Sequence, residues 1–189
     1  MVRLLLVASR NPDKAAEIQH IFASTGITVR TLDEYDGIPD VIEDGSTLEE
    51  NAVKKAKEVY EATGIPTVAD DTGLEVDALN GSPGVYSARY AGEGASYADN
   101  VAKLLREMQA INNHERTARF RTVTVFYDGT HTVTAEGVVA GEILHEQRGT
   151  GGFGYDPVFE ALETRQTFAE MTAEAKHAIS HRGRALRKL

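Results

Sequence analysis

Cysteine does not occur in this 189-residue chain. Its absence excludes disulfide staples, thiolate nucleophiles and cysteine-type zinc sites, and leaves oxygen and nitrogen as the available metal-ligating atoms. Long apolar runs are missing as well. Arg3 is followed by only five apolar residues, 4–8, before Ser9-Arg10-Asn11, which is unlike a secretory leader and far short of the roughly 18 residues of a membrane span. A soluble, cytoplasmic protein with no membrane partner is expected. A basic excess is the third absence: 20 Lys and Arg against 29 Asp and Glu give a formal charge of −9. No basic helix or aromatic-basic alternation offsets it, so polymeric DNA or RNA is not an expected partner. A small phosphorylated ligand stays open on one condition, that cations or a metal ion gather locally.

What is present fits a folded domain. Hydrophobic residues make up 41% and charged residues 26% of the chain, ordinary values that argue against global disorder, and the length suits one domain over 1–189 with at most two lobes. The charge is unevenly spread. Residues 33–50 hold eight Asp or Glu and no Lys or Arg, whereas 176–189 hold five Lys or Arg with His177 and His181 and no acid.

The apolar run at 4–8 predicts a strand buried on both faces of a layered α/β sheet. Asn11 then predicts a helix cap, with Pro12 in the first turn and Ala15, Ile18, Ile21 and Phe22 at helical spacing up to Gly26. A second helix is expected from Ser46 or Thr47, where Thr47-Leu48-Glu49-Glu50 has capping-box spacing, with Leu48, Ala52, Ala56 and Val59 as its inner stripe. A short buried strand from Thr67 then drives into Asp70-Asp71 and turns at Gly73. Residues 85–90 read as extended, Ser96 caps a third helix, and 117–127 with 130–139 read as antiparallel strands around Asp128-Gly129. The last helical region is expected from Thr172 onward. The sheet is therefore mixed. Gly149-Thr150-Gly151-Gly152-Phe153-Gly154 contains G-x-G-x-x-G, but Pro157-Val158-Phe159 reads as extended where a dinucleotide fingerprint needs a helix, so a Rossmann site is rejected.

Chemistry-bearing residues cluster in a few segments. Ser9-Arg10-Asn11-Pro12-Asp13-Lys14 lies at a strand-to-helix junction, where free backbone N–H groups and the macrodipole attract anions. Asp71, with an acid from the 40–50 run, would supply the one or two carboxylates that magnesium takes while phosphates and waters complete its shell. Adjacent strand residues point oppositely, so one of Asp70 and Asp71 is expected to be structural. Lys176, His181 and Arg182 offer donors for a phosphate or a base carbonyl, and His181 would share a face with Lys176 or His177 if the helix continued through Ser180. His20, His114, His131 and His145 lack metal-ligand spacing. Phe120, Thr122, Thr124 and Phe126 are expected to pack the sheet.

In order and spacing, these segments resemble the Ham1-like inosine triphosphate pyrophosphatases, also called non-canonical purine NTP or XTP/dITP diphosphatases, over nearly the whole chain. The resemblance is carried by Glu50-Asn51-Ala52, the 69–79 segment around Asp70-Asp71-Thr72-Gly73, Gly84 to Gly92, the 149–157 glycine-rich segment, and Ile179-Ser180-His181-Arg182-Gly183. It implies an elongated α/β fold with a central mixed sheet flanked by helices, two lobes with a nucleotide cleft between them, a homodimer, and a magnesium requirement that manganese could also meet. It implies hydrolysis of ITP, dITP or XTP to the monophosphate and pyrophosphate, which clears them from the nucleotide pool. By motif position Asp71 carries over as catalytic base and metal ligand and Glu43 as second metal ligand. Ser9, Arg10, Asn11, Pro12, Asp13 and Lys14 carry over as triphosphate contacts. Thr72, Phe153, Gly154, Tyr155, Asp156, Lys176, His181 and Arg182 carry over as further substrate contacts. The first motif reads Ser9-Arg10-Asn11 where the family usually has Thr-Gly-Asn, and Thr72 replaces the usual Ser. Two alternatives stand beside this: a relative acting on another modified triphosphate, such as a pyrimidine nucleotide, and a non-catalytic nucleotide-binding module.

Overall fold

A computed structural model describes residues 3–189. Strand β1 (Leu4–Val7) leads into helix α1 (Pro12–Phe22), whose cap is Asn11, and then strand β2 (Thr28–Thr31). Helix α2 (Leu48–Thr63) is capped by Thr47, whose hydroxyl accepts from Glu50 N. The Glu50 carboxylate turns back to the N–H and hydroxyl of Ser46 instead of closing the box on Thr47. Strands β3 (Thr67–Val76) and β4 (Pro83–Gly84) follow, then helix α3 (Tyr97–Glu107), with a reciprocal Ser96–Asp99 cap. Long strands β5 (Thr117–Tyr127) and β6 (Thr132–Ile143), short strands β7 (Phe159–Ala161) and β8 (Gln166–Thr167), and helices α4 (Ala173–Ile179) and α5 (His181–Leu186) complete the chain.

The strands hydrogen-bond in the order β2-β1-β3-β5-β6-β7-β8, with β4 on β3. β1 is parallel to β2 and β3, while β3–β4, β6–β7 and β7–β8 are antiparallel. The sheet is mixed, as the sequence predicts. Among the described residues no helix is long and apolar enough to cross a membrane.

Three expectations are corrected. β3 does not turn at Asp70-Asp71; it continues through them to Val76, because β4 pairs with its second half and Gly73 lets the backbone of Gly84 approach. A Cβ at Gly73 would lie 2.7 Å from Gly84 O. Residues 85–90 are not extended: a 3₁₀ turn spans Ser87–Arg89, with the Ser87 hydroxyl donating to Gly84 O and accepting from Leu74 N. The last helical region is broken at Ser180, which is extended (φ −63°, ψ 154°), so His181 shares no continuous helical face with Lys176 or His177.

The chain divides into two compact units. Unit 1 comprises Met1–Asp71, Thr122–Gly137 and Arg182–Leu189; unit 2 comprises Thr72–Arg121 and Val138–His181. Unit 1 is built around Leu5, Val7, Ala15, Ile18 and Val68, with Leu186 of α5 packed among them. Unit 2 is built around Leu74, Leu104, Met108, Phe120, Ile143, Phe159 and Phe168.

Candidate active site

In unit 1, β3 presents Asp70 and Asp71 in different surroundings, as alternation along a strand requires. Asp70 is 1% exposed, and its Oδ2 accepts from Arg182 Nε at 3.1 Å and Nη2 at 2.9 Å. Lys14 Nζ lies 3.6 Å from the same oxygen, and Arg182 Nη1 donates to Glu17 of α1. Burial alone would raise the Asp70 pKa, but Arg182, Lys14 and Lys55 hold it far below its ordinary value. Asp70 is the structural carboxylate of the pair.

Asp71 faces α2. Its Oδ2 accepts from Asn51 Nδ2 at 3.1 Å, and its Oδ1 lies 3.7 Å from Lys55 Nζ. Lys55 donates to Glu43 Oε1 at 2.9 Å and to Asp70 O at 2.7 Å. One ammonium therefore draws the Glu43 and Asp71 carboxylates together. Burial opposes the charge on Lys55, yet Asp71, Glu43 and Asp70 keep its pKa above the ordinary lysine value. Burial pushes Asp71 upward, and the attraction of Lys55 and Lys14 does not fully reverse this. A carboxylate so placed is a better proton acceptor than an exposed aspartate. The segment ahead of α2 is seated by Gly45 N donating to Asn51 Oδ1 at 2.8 Å, two residues from Glu43.

Glu43 and Asp71 are hard oxygen donors gathered about one positive charge, and among the described residues no three His, Cys, Asp or Glu cluster into a metal-binding group. A two-carboxylate set fits magnesium or manganese that takes its remaining ligands from phosphate and water.

The first loop corrects a physical detail. The α1 N–H groups expected to be free are engaged: Asn11 Oδ1 accepts from Asp13 N at 3.0 Å and Lys14 N at 3.2 Å, and Pro12 has none to offer. The positive charge of this loop is carried by Lys14, 3.6 Å from Asp70 Oδ2, and by Arg10. Ser9 Oγ accepts from Asn11 N, and Arg10 reaches the acidic run, with Nε 2.9 Å from Asp40 Oδ1.

Unit 2 gathers Phe153, Asp156 and Lys176. Asp156 Oδ2 accepts from Phe153 N at 2.9 Å and from Lys176 Nζ at 2.5 Å, while that ammonium lies 4.6 Å from the centre of the Phe153 ring. Tyr155 donates its hydroxyl proton to Ser87 O, and Gly154 takes the left-handed φ of +61° between them. His181 is buried and stacks on Phe120, centroids 4.5 Å apart. Thr72 follows Asp71 directly and opens unit 2. Phe120 is packed into the core, as the sheet-stripe reading expects.

Lys14, Glu43, Asp71 and Arg182 thus meet in unit 1, whereas His181, one residue before Arg182, belongs to unit 2. Arg182 carries its charge inward: at 1% exposure its fork closes on Asp70 and Glu17. Lys55 and Glu17 have no place among the residues the sequence points to, and Asn51 enters only within the Glu50-Asn51-Ala52 motif, without a role. A signal for two of them exists, because Asn51 and Lys55 are four apart and fall inside the stripe of Leu48, Ala52, Ala56 and Val59. Polar residues on a buried helical face need partners.

A sequence model described as the Ham1 family matches residues 5–189. A dITP/XTP pyrophosphatase of Geobacter sulfurreducens is 51% identical over 96% of this chain and 92% of its own length. Among solved structures, a HAM1 protein from Coxiella burnetii has a TM-score of 0.88 at 40% identity, covering 100% of this chain and 96% of the other. A nucleoside-triphosphatase / dITP/XTP pyrophosphatase from Mycobacterium abscessus has a TM-score of 0.77 at 42% identity, covering 98% and 97%.

Proposed function

The chain belongs to the Ham1 family, and on that premise we propose that it is a pyrophosphohydrolase converting the non-canonical purine triphosphates ITP, dITP and XTP to the monophosphate and pyrophosphate. Relatives named dITP/XTP pyrophosphatase support the reaction. The observation in this chain that carries it is the Asp71 carboxylate, buried yet held beside Lys55, Lys14 and Glu43.

Hydrolysis requires a water oxygen to bond to phosphorus as the α–β anhydride P–O bond breaks, with the water's proton passing to a base and the negative charge leaving on pyrophosphate. Asp71 is the base, oriented by Asn51 Nδ2. Lys55 and Lys14 keep positive charge beside the reacting region, and the demand on the chain is mainly placement and charge neutralisation. Glu43 and Asp71 would hold a magnesium ion, or manganese in its place, whose charge would offset that of the triphosphate. Lys14 and its loop, Ser9 to Asp13, take the phosphates.

Selectivity follows from donors facing the purine 6-oxo group, since the adenine amino group would leave them unpaired. Lys176 is engaged with Asp156, and Arg182 with Asp70 and Glu17. With the Phe153 amide given to Asp156 Oδ2 and the Asp156 amide to Phe153 O, the donors assigned to the base are the amides of Gly154 and Tyr155 and the imidazole of His181, whose ring orientation Phe120 fixes. Thr72 contributes its hydroxyl. Pyrophosphate release measured across ITP, dITP, XTP, ATP and GTP is the test. Turnover of the three non-canonical nucleotides well above ATP is expected, and equal turnover of ATP and ITP would end the selectivity argument.

A further inference from the structure

The glycine-rich loop is closed at its base by contacts that neither the motif nor the reaction accounts for. Arg148 N donates to Pro157 O at 2.8 Å, which joins the two ends of the 149–156 loop. The Arg148 side chain then runs away from the loop: Nη2 donates to Glu160 Oε2 at 2.5 Å and lies 3.4 Å from Glu170 Oε2. Glu170 accepts from Thr167 N at 2.8 Å, and Thr167 Oγ1 returns a proton to Arg148 O at 2.8 Å. Arg148, Glu170 and Thr167 thus form a closed ring of contacts at the base of the loop, five residues beyond the end of β6. Glu160 is 6% exposed and its other oxygen lies 3.2 Å from Arg165 Nε, so Arg148 and Arg165 share the neutralisation of this buried carboxylate. The loop is seated on the same support: Gly149, at φ +83°, would place a Cβ 2.4 Å from the carbonyl carbon of Ala169, and Gly151 N donates to Ala169 O at 3.0 Å.

We propose that Arg148 is a positioning residue for substrate selection, its guanidinium locking the base of the 149–156 loop to Glu160 and Glu170 so that Phe153 and the loop amides are held where the purine is read. This rests on the reading of that loop as a substrate contact. Arg148 touches neither Phe153 nor Asp156 through any of these bonds; it acts through the loop's backbone. Its Nε finds no hydrogen-bond partner among the described residues, so the planar fork is not used, and an ammonium on a lysine stem can replace Nη2 between the two carboxylates.

The test uses the full chain with its metal and compares Arg148→Met, Arg148→Lys and Phe153→Ala, with ITP as substrate and inorganic triphosphate as a base-free competitive inhibitor. Arg148→Met is expected to raise KM for ITP by about tenfold, as a loosened positioning loop does, with kcat within about twofold. The Ki of inorganic triphosphate is expected not to move. Arg148→Lys should restore most of the lost KM, and hydrogen exchange at the amides of Gly151 and Phe153 should be faster in Arg148→Met than in the parent. If Arg148→Met does not fold, Glu170→Gln carries the same expectation at smaller size. A parental KM in Arg148→Met alongside a raised KM in Phe153→Ala would overturn the positioning role and leave the loop's substrate contact standing. A parental KM in Phe153→Ala would remove that contact, and the positioning role with it. An equal loss in kcat and in triphosphate affinity would show general damage and also overturn it.

Discussion

Two neighbouring aspartates divide structure from chemistry. Asp70 is bound by both arms of the Arg182 fork and sits within reach of Lys14. Asp70→Asn leaves a fully buried guanidinium short of one counter-charge and should cost about 3 kcal/mol, measured as a shift in urea midpoint at constant m-value. Asp71 is the reverse case, because burial disfavours its charge. Asp71→Asn should change stability by less than about 1 kcal/mol while lowering turnover at saturating magnesium by at least about 100-fold. If both variants lost stability alike, the division between them would fail. Asp71 was legible because an acidic pair interrupting a hydrophobic strand is conspicuous. Its partners were not. Lys55 hides in an apolar helical stripe and Asn51 shows only as part of a motif; for Asp70 the partner is Arg182, expected as a substrate contact and found 112 positions away, a pairing that no local pattern encodes.

The elements fall into two kinds. Those fixed by neighbours in sequence were legible: Asn11 with Pro12, Thr47, and Ser96 with Asp99 start helices where their side-chain caps predict. Those fixed by distant backbone were not. Asp70-Asp71-Thr72-Gly73 is turn-forming by composition, yet pairing with β4 and burial keep it in a strand. Gly73→Ala should therefore destabilise the fold by about 1–3 kcal/mol, since the methyl group would meet Gly84 backbone rather than a movable side chain; a parental urea midpoint would refute that reading of the pairing. The β5–β6 turn allows a pH test. N–H donation from His131 and Thr130 lowers the Asp128 pKa from 3.8 to about 2. A depressed folded-state value means that its contribution is complete above the unfolded value of 3.8 and disappears as the pH falls through about 2. In Asp128→Asn the decline in stability over that window should be shallower than in the parent, read from unfolding midpoints at stepped pH.

At the scale of the molecule, the proposed metal requirement and dimer are directly measurable. Chelation should abolish pyrophosphate release, and magnesium or manganese should restore it; activity persisting in chelator would exclude the two-carboxylate site. Light scattering should return twice the 20.5 kDa chain mass, and a value of one chain mass would rule out the homodimer. The mixed sheet was legible from apolar runs and alternation, but where the chain divides into units was not, because it passes between them within β3, β5 and β6 and again after His181. That interleaving has a consequence for biosynthesis. The guanidinium that neutralises Asp70 is polymerised 112 residues later, a delay of roughly 6 to 22 s at typical ribosomal speeds. Throughout that interval the nascent N-terminal segment carries an inward-facing anion without its principal counter-ion, so maturation of this unit is deferred until translation has passed the Arg182 codon.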